Sequence, residues 1–220
     1  MFGNLFIHSR FLIDAHNAVF LKPASHRFAD LVVRHFDGLP ARSRVLDYGT
    51  GADVGGITAA LRLTEPDLML ADINPDALFM ATINAEFAEL SSVARSIQRP
   101  CDIDHDFDLI VMHPPFMIDF GRRTYRDGGS LYGGQLSLDW GMDGMSRLAP
   151  GGRLVMHTGA SVVGKRDVLR DAFWDAMPAS GFTLDYQLFG PDIFGEELSN
   201  PIYADVDRIA AVGLRIERVP

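Results

Sequence analysis

Short apolar segments alternate with helical segments through the middle of the sequence, and this alternation limits the possible folds more than any other feature. Strands are predicted at residues 44–47, 68–71, 93–98, 107–112, 153–157, 182–188 and 208–216. Helices are predicted at residues 25–37, 54–63, 75–90, 136–148 and 167–177. The strand at 107–112 carries a continuous apolar run, as a strand buried on both faces does. The chain is therefore expected to be α/β, with a mostly parallel sheet.

The length of 220 residues suits one domain with a sizeable core. We expect a single domain over residues 1–220, with a helical cap over 1–40 and a Rossmann-like core over 41–220. A helix is also expected within residues 2–21, although their apolar side chains do not form one clean stripe.

Composition excludes several classes of function. The net charge of −9 argues against a protein that binds nucleic acid by neutralising phosphates. The only cysteine, Cys101, excludes an internal disulfide and a Cys-rich zinc site, and the histidines show no metal-ligand spacing. No apolar run approaches the roughly 18 residues of a membrane span. Polar residues near the N-terminus argue against a signal peptide, so a cytoplasmic protein without a metal is expected.

The first predicted strand ends in an acid followed by a Gly-x-Gly turn that opens a helix. The turn and its flanks comprise Asp47, Tyr48, Gly49, Thr50 and Gly51. A dinucleotide fingerprint would need glycine at position 54, which is Val54. An acid before the first glycine suits an ammonium group better than a pyrophosphate. The turn therefore predicts a ligand with an amino-acid part.

A second acid, Asp72, ends the next predicted strand 21 residues beyond Gly51 and is followed by Ile73. A carboxylate at this place commonly accepts hydrogen bonds from both ribose hydroxyls, although a strand-ending Asp can also serve as a helix cap or salt-bridge partner. Ribose together with an amino acid describes S-adenosylmethionine. The sequence thus predicts this cofactor, with Ile73 beside it.

The fourth predicted strand runs into His113-Pro114-Pro115-Phe116. With the glycine turn, this segment resembles the class I methyltransferases that carry Asn/Asp-Pro-Pro-Tyr/Phe here. They include glutamine methyltransferases of release factors and ribosomal proteins, adenine and guanine N-methyltransferases, and the small methyltransferase group. The resemblance covers roughly residues 20–160. It implies a seven-stranded, mostly parallel sheet with helices on both faces and the last strand antiparallel.

The resemblance also implies roles for individual residues. The first turn and Asp72 would hold the cofactor, and Asp102 would meet the adenine amino group. The two prolines would fix the loop, and Phe116 would stack on a planar group of the substrate. The chain departs from the family at His113, where Asn or Asp is usual. A neutral imidazole offers one acceptor nitrogen and can also take a proton, so His113 is expected to orient an N–H or act as a general base. Alternatively, it only shapes the loop.

A glycine-rich stretch at 121–134 follows the second motif, where such enzymes place a substrate-facing loop. Its side chains Arg122, Arg123, Tyr125 and Arg126 are expected to contact substrate, the arginines as a clamp for a carboxylate. The loop at 190–204 is a second candidate rim. Both loops can equally be plain surface. Trp140 and Trp174, on predicted helices, are expected in the core.

The expected function is methyl transfer from S-adenosylmethionine to a nitrogen of a small molecule, without a membrane partner. The acidic charge and the short segment before the first strand favour this interpretation. A protein glutamine amide or an RNA base is the alternative substrate, supported by the Pro-Pro-Phe segment. A binding module, or an enzyme that uses another carbon of the sulfonium, is a further alternative.

Overall fold

The computed structural model describes residues 5–10, 15–21, 23–104 and 106–220. In this part of the chain eight strands form one sheet, in the order β3-β2-β1-β4-β5-β8-β7, with β6 paired to the end of β5. The strands are β1 Arg44–Tyr48, β2 Asp67–Asp72, β3 Ser92–Ser96, β4 Phe107–Met112, β5 Leu148–Val163, β6 Arg166–Asp167, β7 Phe182–Gly190 and β8 Arg208–Arg218. Strands β1 to β5 are parallel, and β8 runs antiparallel to both of its neighbours.

Helices cover both faces of this sheet. They are α1 Pro23–Arg34, α2 Val54–Ala60, α3 Pro75–Phe87, α4 Gln135–Met145 and α5 Val168–Ala176. Alternate residues of each central strand face opposite layers, as the period of two requires. In β4, Leu109 and Val111 pack with α1 and α2, whereas Ile110 and Met112 pack with α4 and α5. The predicted fold class is confirmed, including the antiparallel last strand; β6 is an additional strand of two residues.

Local sequence explains why these elements begin where they do. Asn74 caps α3 by accepting a hydrogen bond from the Asp76 amide at 3.0 Å, and Pro75 occupies the first helical position. In α1, Phe28, Leu31 and Val32 form the buried stripe that the helical spacing predicts.

Strand β5 is longer than predicted at both ends, since it begins at Leu148 and continues past residue 157 to Val163. The first four residues beyond 157 are small or polar, so the sequence of 158–161 carries no apolar alternation. They are held instead by pairing with β8, whose register with β5 runs from Arg153 to Val162. Tertiary pairing here overrides a weak local signal.

The helix predicted within residues 2–21 is wrong for the residues described, since 5–10 and 15–21 contain none; the remainder lies outside the described residues. These two stretches are joined to each other, as the Ser9 amide donates to the Val19 carbonyl at 2.7 Å. Buried Asn84 on α3 holds Ile7, accepting from its amide at 2.7 Å and donating to its carbonyl at 3.0 Å. The same Asn84 side chain donates to the Ala52 carbonyl at 3.1 Å.

Within the described residues, no helix is both long enough and apolar enough to cross a membrane.

We predict that Asn84→Ala lowers the free energy of unfolding by about 1–3 kcal/mol, because it leaves the partners of a buried amide unpaired. Urea unfolding measures this change. Thr82→Ala is the matched control, since Thr82 hydrogen bonds only within α3, to the Leu78 carbonyl. Equal effects of the two substitutions would contradict the prediction.

Candidate active site

A cavity of about 300 Å³ lies at the carboxyl ends of β1, β2 and β4, the edge at which open α/β sheets bind ligands. Its walls include the turn after β1, the end of β2, the segment after β4 and the stretch 18–20, together with residues of α1, of α4 and of the loop before β8. The cavity therefore brings together the two motifs that the sequence singles out.

The turn after β1 approaches the cavity through its backbone. Gly49 has a positive φ of 66°, and a Cβ there would lie 2.5 Å from the Trp140 ring. Both the dihedral angle and the contact therefore require glycine at this position. The Gly49 and Thr50 amides donate to the Ala71 carbonyl at 2.8 and 3.1 Å, which ties the turn to β2.

Asp47 is buried behind this turn and accepts a hydrogen bond from the Gly56 amide at 2.7 Å. The carboxyl group of Asp53 lies against it, also fully buried. Burial raises the pKa of Asp47 to about 7, and burial together with Asp47 raises the pKa of Asp53 well above its usual range. The pair therefore holds a proton at pH values at which ordinary carboxyl groups are ionised.

Asp72 joins the turn to α3. Its carboxylate accepts from the Gly51 amide at 3.1 Å and from the Asn74 amide at 2.8 Å. Burial raises its pKa, and these backbone hydrogen bonds oppose the shift. A carboxylate has about four acceptor positions, so two bonds to the backbone leave acceptor capacity for ribose hydroxyls.

Most of the residues predicted for the site line the cavity. They are Asp47, Tyr48, Gly49, Thr50, Gly51, Asp72, Ile73, His113, Pro114, Pro115, Phe116, Tyr125 and Arg126. Asp102, Arg122 and Arg123 are absent from this lining. Asp102 is exposed instead. It ends a short 3₁₀ helix, Pro100–Asp102, and its carboxylate accepts a hydrogen bond from the amide of Arg99, the residue before that helix, at 3.2 Å. Gln98, whose carbonyl accepts from the Tyr48 hydroxyl, lines the cavity nearby.

His113 follows β4, and its ring is held from the side of β5. The Nδ1 atom donates to the His157 carbonyl at 2.7 Å. Since a carbonyl can only accept, Nδ1 carries the proton of the neutral ring and Nε2 carries the lone pair. The ring also lies 5.5 Å from the Phe28 ring and 6.1 Å from the Phe116 ring, measured between centroids.

Phe116 lies flat against the backbone of β5. A Cβ at Gly159 would come within 2.2 Å of the Phe116 Cδ2 atom, so glycine at 159 makes room for the ring. On its other side Phe116 approaches Phe194, with 5.7 Å between centroids. An aromatic wall thus borders the same cavity as the His113 ring.

The rim arginines are engaged with carboxylates of the protein. Asp119 accepts from the Arg123 side chain and lies 3.4 Å from Arg126, which also pairs with Glu197 at 2.5 Å. The hydrogen bond from Arg123 is the main cause that lowers the pKa of Asp119. Arg122 is exposed. Arg126 is thus the arginine of this rim that the structure brings to the cavity, already compensated by two acids.

The sequence missed several residues of the cavity wall. Phe20, Phe28 and Phe194 belong to it, and Trp140, expected in the core, packs half-buried against the core and also borders the cavity. Trp174 is 56% exposed, also contrary to expectation. The loop at 190–204 gave a signal for Phe194, whereas nothing in the sequence marked Phe20.

In the described part of the chain, no group of three or more His, Cys, Asp or Glu side chains is arranged to hold a metal ion.

The sequence matches the model of the methyltransferase small domain over residues 10–126. It is 30% identical over 148 residues to the release factor glutamine methyltransferase of Koribacter versatilis, covering 59% of this chain and 51% of that protein. The chain thus spans about half the length of this relative, and about a third of other release factor glutamine methyltransferases that it matches.

Solved structures share the fold at low sequence identity. The ribosomal protein L11 methylase of Lactobacillus delbrueckii subsp. bulgaricus has a TM-score of 0.60 at 18% identity, covering 91% of this chain and 81% of the other. The geranyl diphosphate C-methyltransferase of Streptomyces coelicolor A3(2), solved with S-adenosyl-L-homocysteine, has a TM-score of 0.61 at 14% identity, with coverages of 88% and 76%.

We predict that Asp72→Ala weakens binding of S-adenosylhomocysteine tenfold or more, because a hydrogen bond to a charged acceptor contributes about 1.5–3 kcal/mol. Calorimetry measures the affinity. Asp67→Ala is the control, since Asp67 is exposed at the opposite end of β2. Unchanged affinity in Asp72→Ala would contradict the assignment, as would tight binding of a nicotinamide dinucleotide.

A second prediction concerns the buried acid pair. A carboxyl group can have a higher pKa in the folded protein than in the unfolded protein. Such a group destabilises the fold as the pH rises from the unfolded-state pKa through the folded-state pKa. Asp53→Asn removes one acid and keeps a side chain that tolerates the left-handed backbone at φ 59°. Its free energy of unfolding should exceed that of the parent by about 1 kcal/mol or more at pH 8, and by less at pH 5. Urea titrations at both pH values test this, and a difference that does not shrink at pH 5 refutes it.

Proposed function

The chain belongs to the methyltransferase small domain family, whose members are S-adenosylmethionine-dependent methyltransferases, and on that premise we propose that it methylates a nitrogen of a planar group presented by a protein. The observation that carries the proposal is the acceptor nitrogen of His113, fixed by the His157 carbonyl and lining the same cavity as Phe116 and the glycine turn.

The residues of the cavity fit the cofactor. The Gly49 turn leaves room for close approach of a ligand, and buried Asp72 offers acceptor positions at the end of β2. Tyr48 and Trp140, whose rings meet edge to face with centroids 4.6 Å apart, supply an aromatic wall near Gln98. We assign Asp72 to the ribose hydroxyls, and the turn from Asp47 to Gly51, with neighbouring Ile73, to the rest of the cofactor. Asp102 is not part of this assignment, because it lies outside the cavity lining.

When bound, the cofactor supplies a methyl group on a positively charged sulfur. The protein then has to align the accepting nitrogen and relieve it of a proton. His113 Nε2 accepts the N–H of the substrate and takes up the proton as the nitrogen is methylated. Pro114 and Pro115 restrict the backbone that carries His113, since their φ angles are fixed. Phe116 stacks on the planar group and orients it.

A protein substrate is favoured by the relatives and by charge. The relative from Koribacter versatilis is named for the glutamine of a release factor, and a side-chain amide is planar with two N–H groups. The net charge of −9 disfavours an RNA substrate. His113 replaces the Asn or Asp oxygen with an imidazole nitrogen, which accepts one N–H in the same way.

A nitrogen of a small molecule is the second candidate, favoured by the rim. The ion pair between Arg126 and Glu197 joins the segment after β4 to the loop before β8, and Phe116 meets Phe194 across the same gap. A rim joined in this way limits the size of a group that can enter.

Methyl-labelled cofactor, the protein and a cell extract provide the test. We expect label in acid-precipitable material that proteinase releases and ribonuclease does not. Label in a low-mass product that separates from the cofactor would support the small molecule instead, and ribonuclease-sensitive label would refute the protein substrate. A reaction with Asp72→Ala serves as the blank, since it should bind cofactor poorly. Finding any other product of the cofactor than S-adenosylhomocysteine would refute methyl transfer.

His113→Ala should lower kcat by about 10²–10⁴, the usual contribution of a general base, with affinity for S-adenosylhomocysteine nearly unchanged. The rate of the parent protein should fall at acid pH, because protonation removes the acceptor nitrogen. His113→Asn should keep part of the activity if acceptance alone matters. Initial rates on the labelled fraction measure these effects, and a kcat of His113→Ala within threefold of the parent would leave His113 as a loop residue.

A further inference from the structure

We propose that His157 is a positioning residue that orients the His113 ring and strengthens it as a base. The side chain of His157 is wholly buried on β5 and belongs to neither motif. The catalytic part of this inference rests on the proposed function of His113, whereas the pairing of the two rings stands on the structure alone.

Two atoms of His157 face the same atom of His113. The His157 carbonyl accepts from Nδ1 of His113 at 2.7 Å, and Nδ1 of His157 lies 3.5 Å from that same nitrogen. The rings meet edge to face, with centroids 4.9 Å apart and planes at 72°. His113 Nδ1 is therefore enclosed by His157 on two sides, which fixes the plane of the ring as well as its proton.

This contact also fixes the tautomer of His157. Because Nδ1 of His113 carries a hydrogen, a hydrogen on Nδ1 of His157 would set two donors against each other. We therefore assign the proton of neutral His157 to Nε2, a buried nitrogen without a hydrogen-bond partner among the described residues, and the Nδ1 lone pair to the side of His113. When His113 takes up a proton, its ring becomes a cation with that lone pair beside it, and the contact becomes more favourable.

The surroundings keep His157 neutral, so it does not compete for the proton. Burial, with smaller contributions from His113 and Arg27, lowers the pKa of His157 to about 2. Arg27 comes from α1, and β8 places Gly213 opposite His157, which carries no charge. Asp47 from β1 and Arg126 from the rim share the cavity with His113.

The contact between His113 and His157 is explained by the presence of histidine, instead of the family's Asn or Asp, at position 113. An amide or carboxylate oxygen at position 113 accepts hydrogen bonds whatever lies behind it. An imidazole accepts only through the nitrogen that lacks the proton, so a histidine needs a partner that determines which nitrogen this is. A histidine two residues before Gly159, on the same face of β5, meets this need, while Gly159 makes room for Phe116.

NMR of protein labelled with ¹⁵N-histidine tests the pairing without any substrate. In the neutral rings, we expect a protonated Nδ1 for His113 and a protonated Nε2 for His157, with signals assigned through His113→Asn and His157→Phe. In His157→Phe, which keeps a ring but removes the lone pair, the titration midpoint of His113 should fall by about half a pH unit or more. An unchanged or raised midpoint would overturn the proposal.

Two further variants separate positioning from general disturbance of β5. In His157→Asn, an amide oxygen can stand near the Nδ1 position, so the midpoint of His113 should recover at least half of the shift. In Ser161→Ala, the loss is confined to a hydrogen bond to the Tyr132 carbonyl on the same face of β5, and the midpoint should be unchanged. A shift in Ser161→Ala equal to that in His157→Phe would refute a specific role.

Rates on the labelled fraction complete the test. His157→Phe should lower kcat about three- to tenfold, the equivalent of one neutral hydrogen bond, and move the acid limb of the pH–rate profile downward, with KM for the cofactor unchanged. A midpoint shift without any change in rate would retain the pairing and refute base catalysis by His113. A change in rate without a midpoint shift would refute the pairing.

Discussion

The pairing of β5 with β4 on one side and β8 on the other is the constraint on which the site depends. Residues 153–156 of β5 pair with β4, and the register with β8 continues to Val162, beyond the end of β4. The free part of β5 thereby lies under the segment that leaves β4. His157 meets His113 there, and Gly159 meets Phe116. A slip of one residue in this register would turn both contacts to the opposite layer of helices.

The sequence predicts the frame of the fold well because the frame repeats a simple pattern. Buried strands such as β4 show continuous apolar runs, and Asn74 with Pro75 marks the start of α3. The turn after β1 and Asp72 are also predicted well, because each lies at the end of a strand that the apolar pattern marks. Contacts between segments that are distant in the chain produce no comparable pattern in the sequence. The length of β5, the engagement of Arg123 and Arg126 by Asp119, and the place of Phe20 depend on residues far away in the sequence. Asp102 lies outside the cavity lining for a local reason, since it ends the 3₁₀ helix Pro100–Asp102 and is exposed.

Two pairs of titratable groups lie at the carboxyl end of the sheet, and burial acts on them in opposite ways. Asp47 and Asp53 are acids whose burial favours the protonated form, so one proton is retained where a free carboxyl would lose it. His157 is a base whose burial favours the neutral form. Both effects reduce the charge behind the cavity. The proposed methyl transfer begins with a cationic sulfur and gives up a proton, and it would take place in front of these neutral groups.

The ion pair between Arg126 and Glu197 makes the rim of the cavity sensitive to ionic strength. Each side chain is 24% exposed, so mobile ions reach the pair and weaken it as salt is added. Salt also screens the repulsion within a chain of net charge −9, and this effect acts in the opposite direction. At high ionic strength the body of the protein would hold together more firmly while its two rim loops part more readily. Stability and access to the cavity would then be tuned separately by the same solution condition.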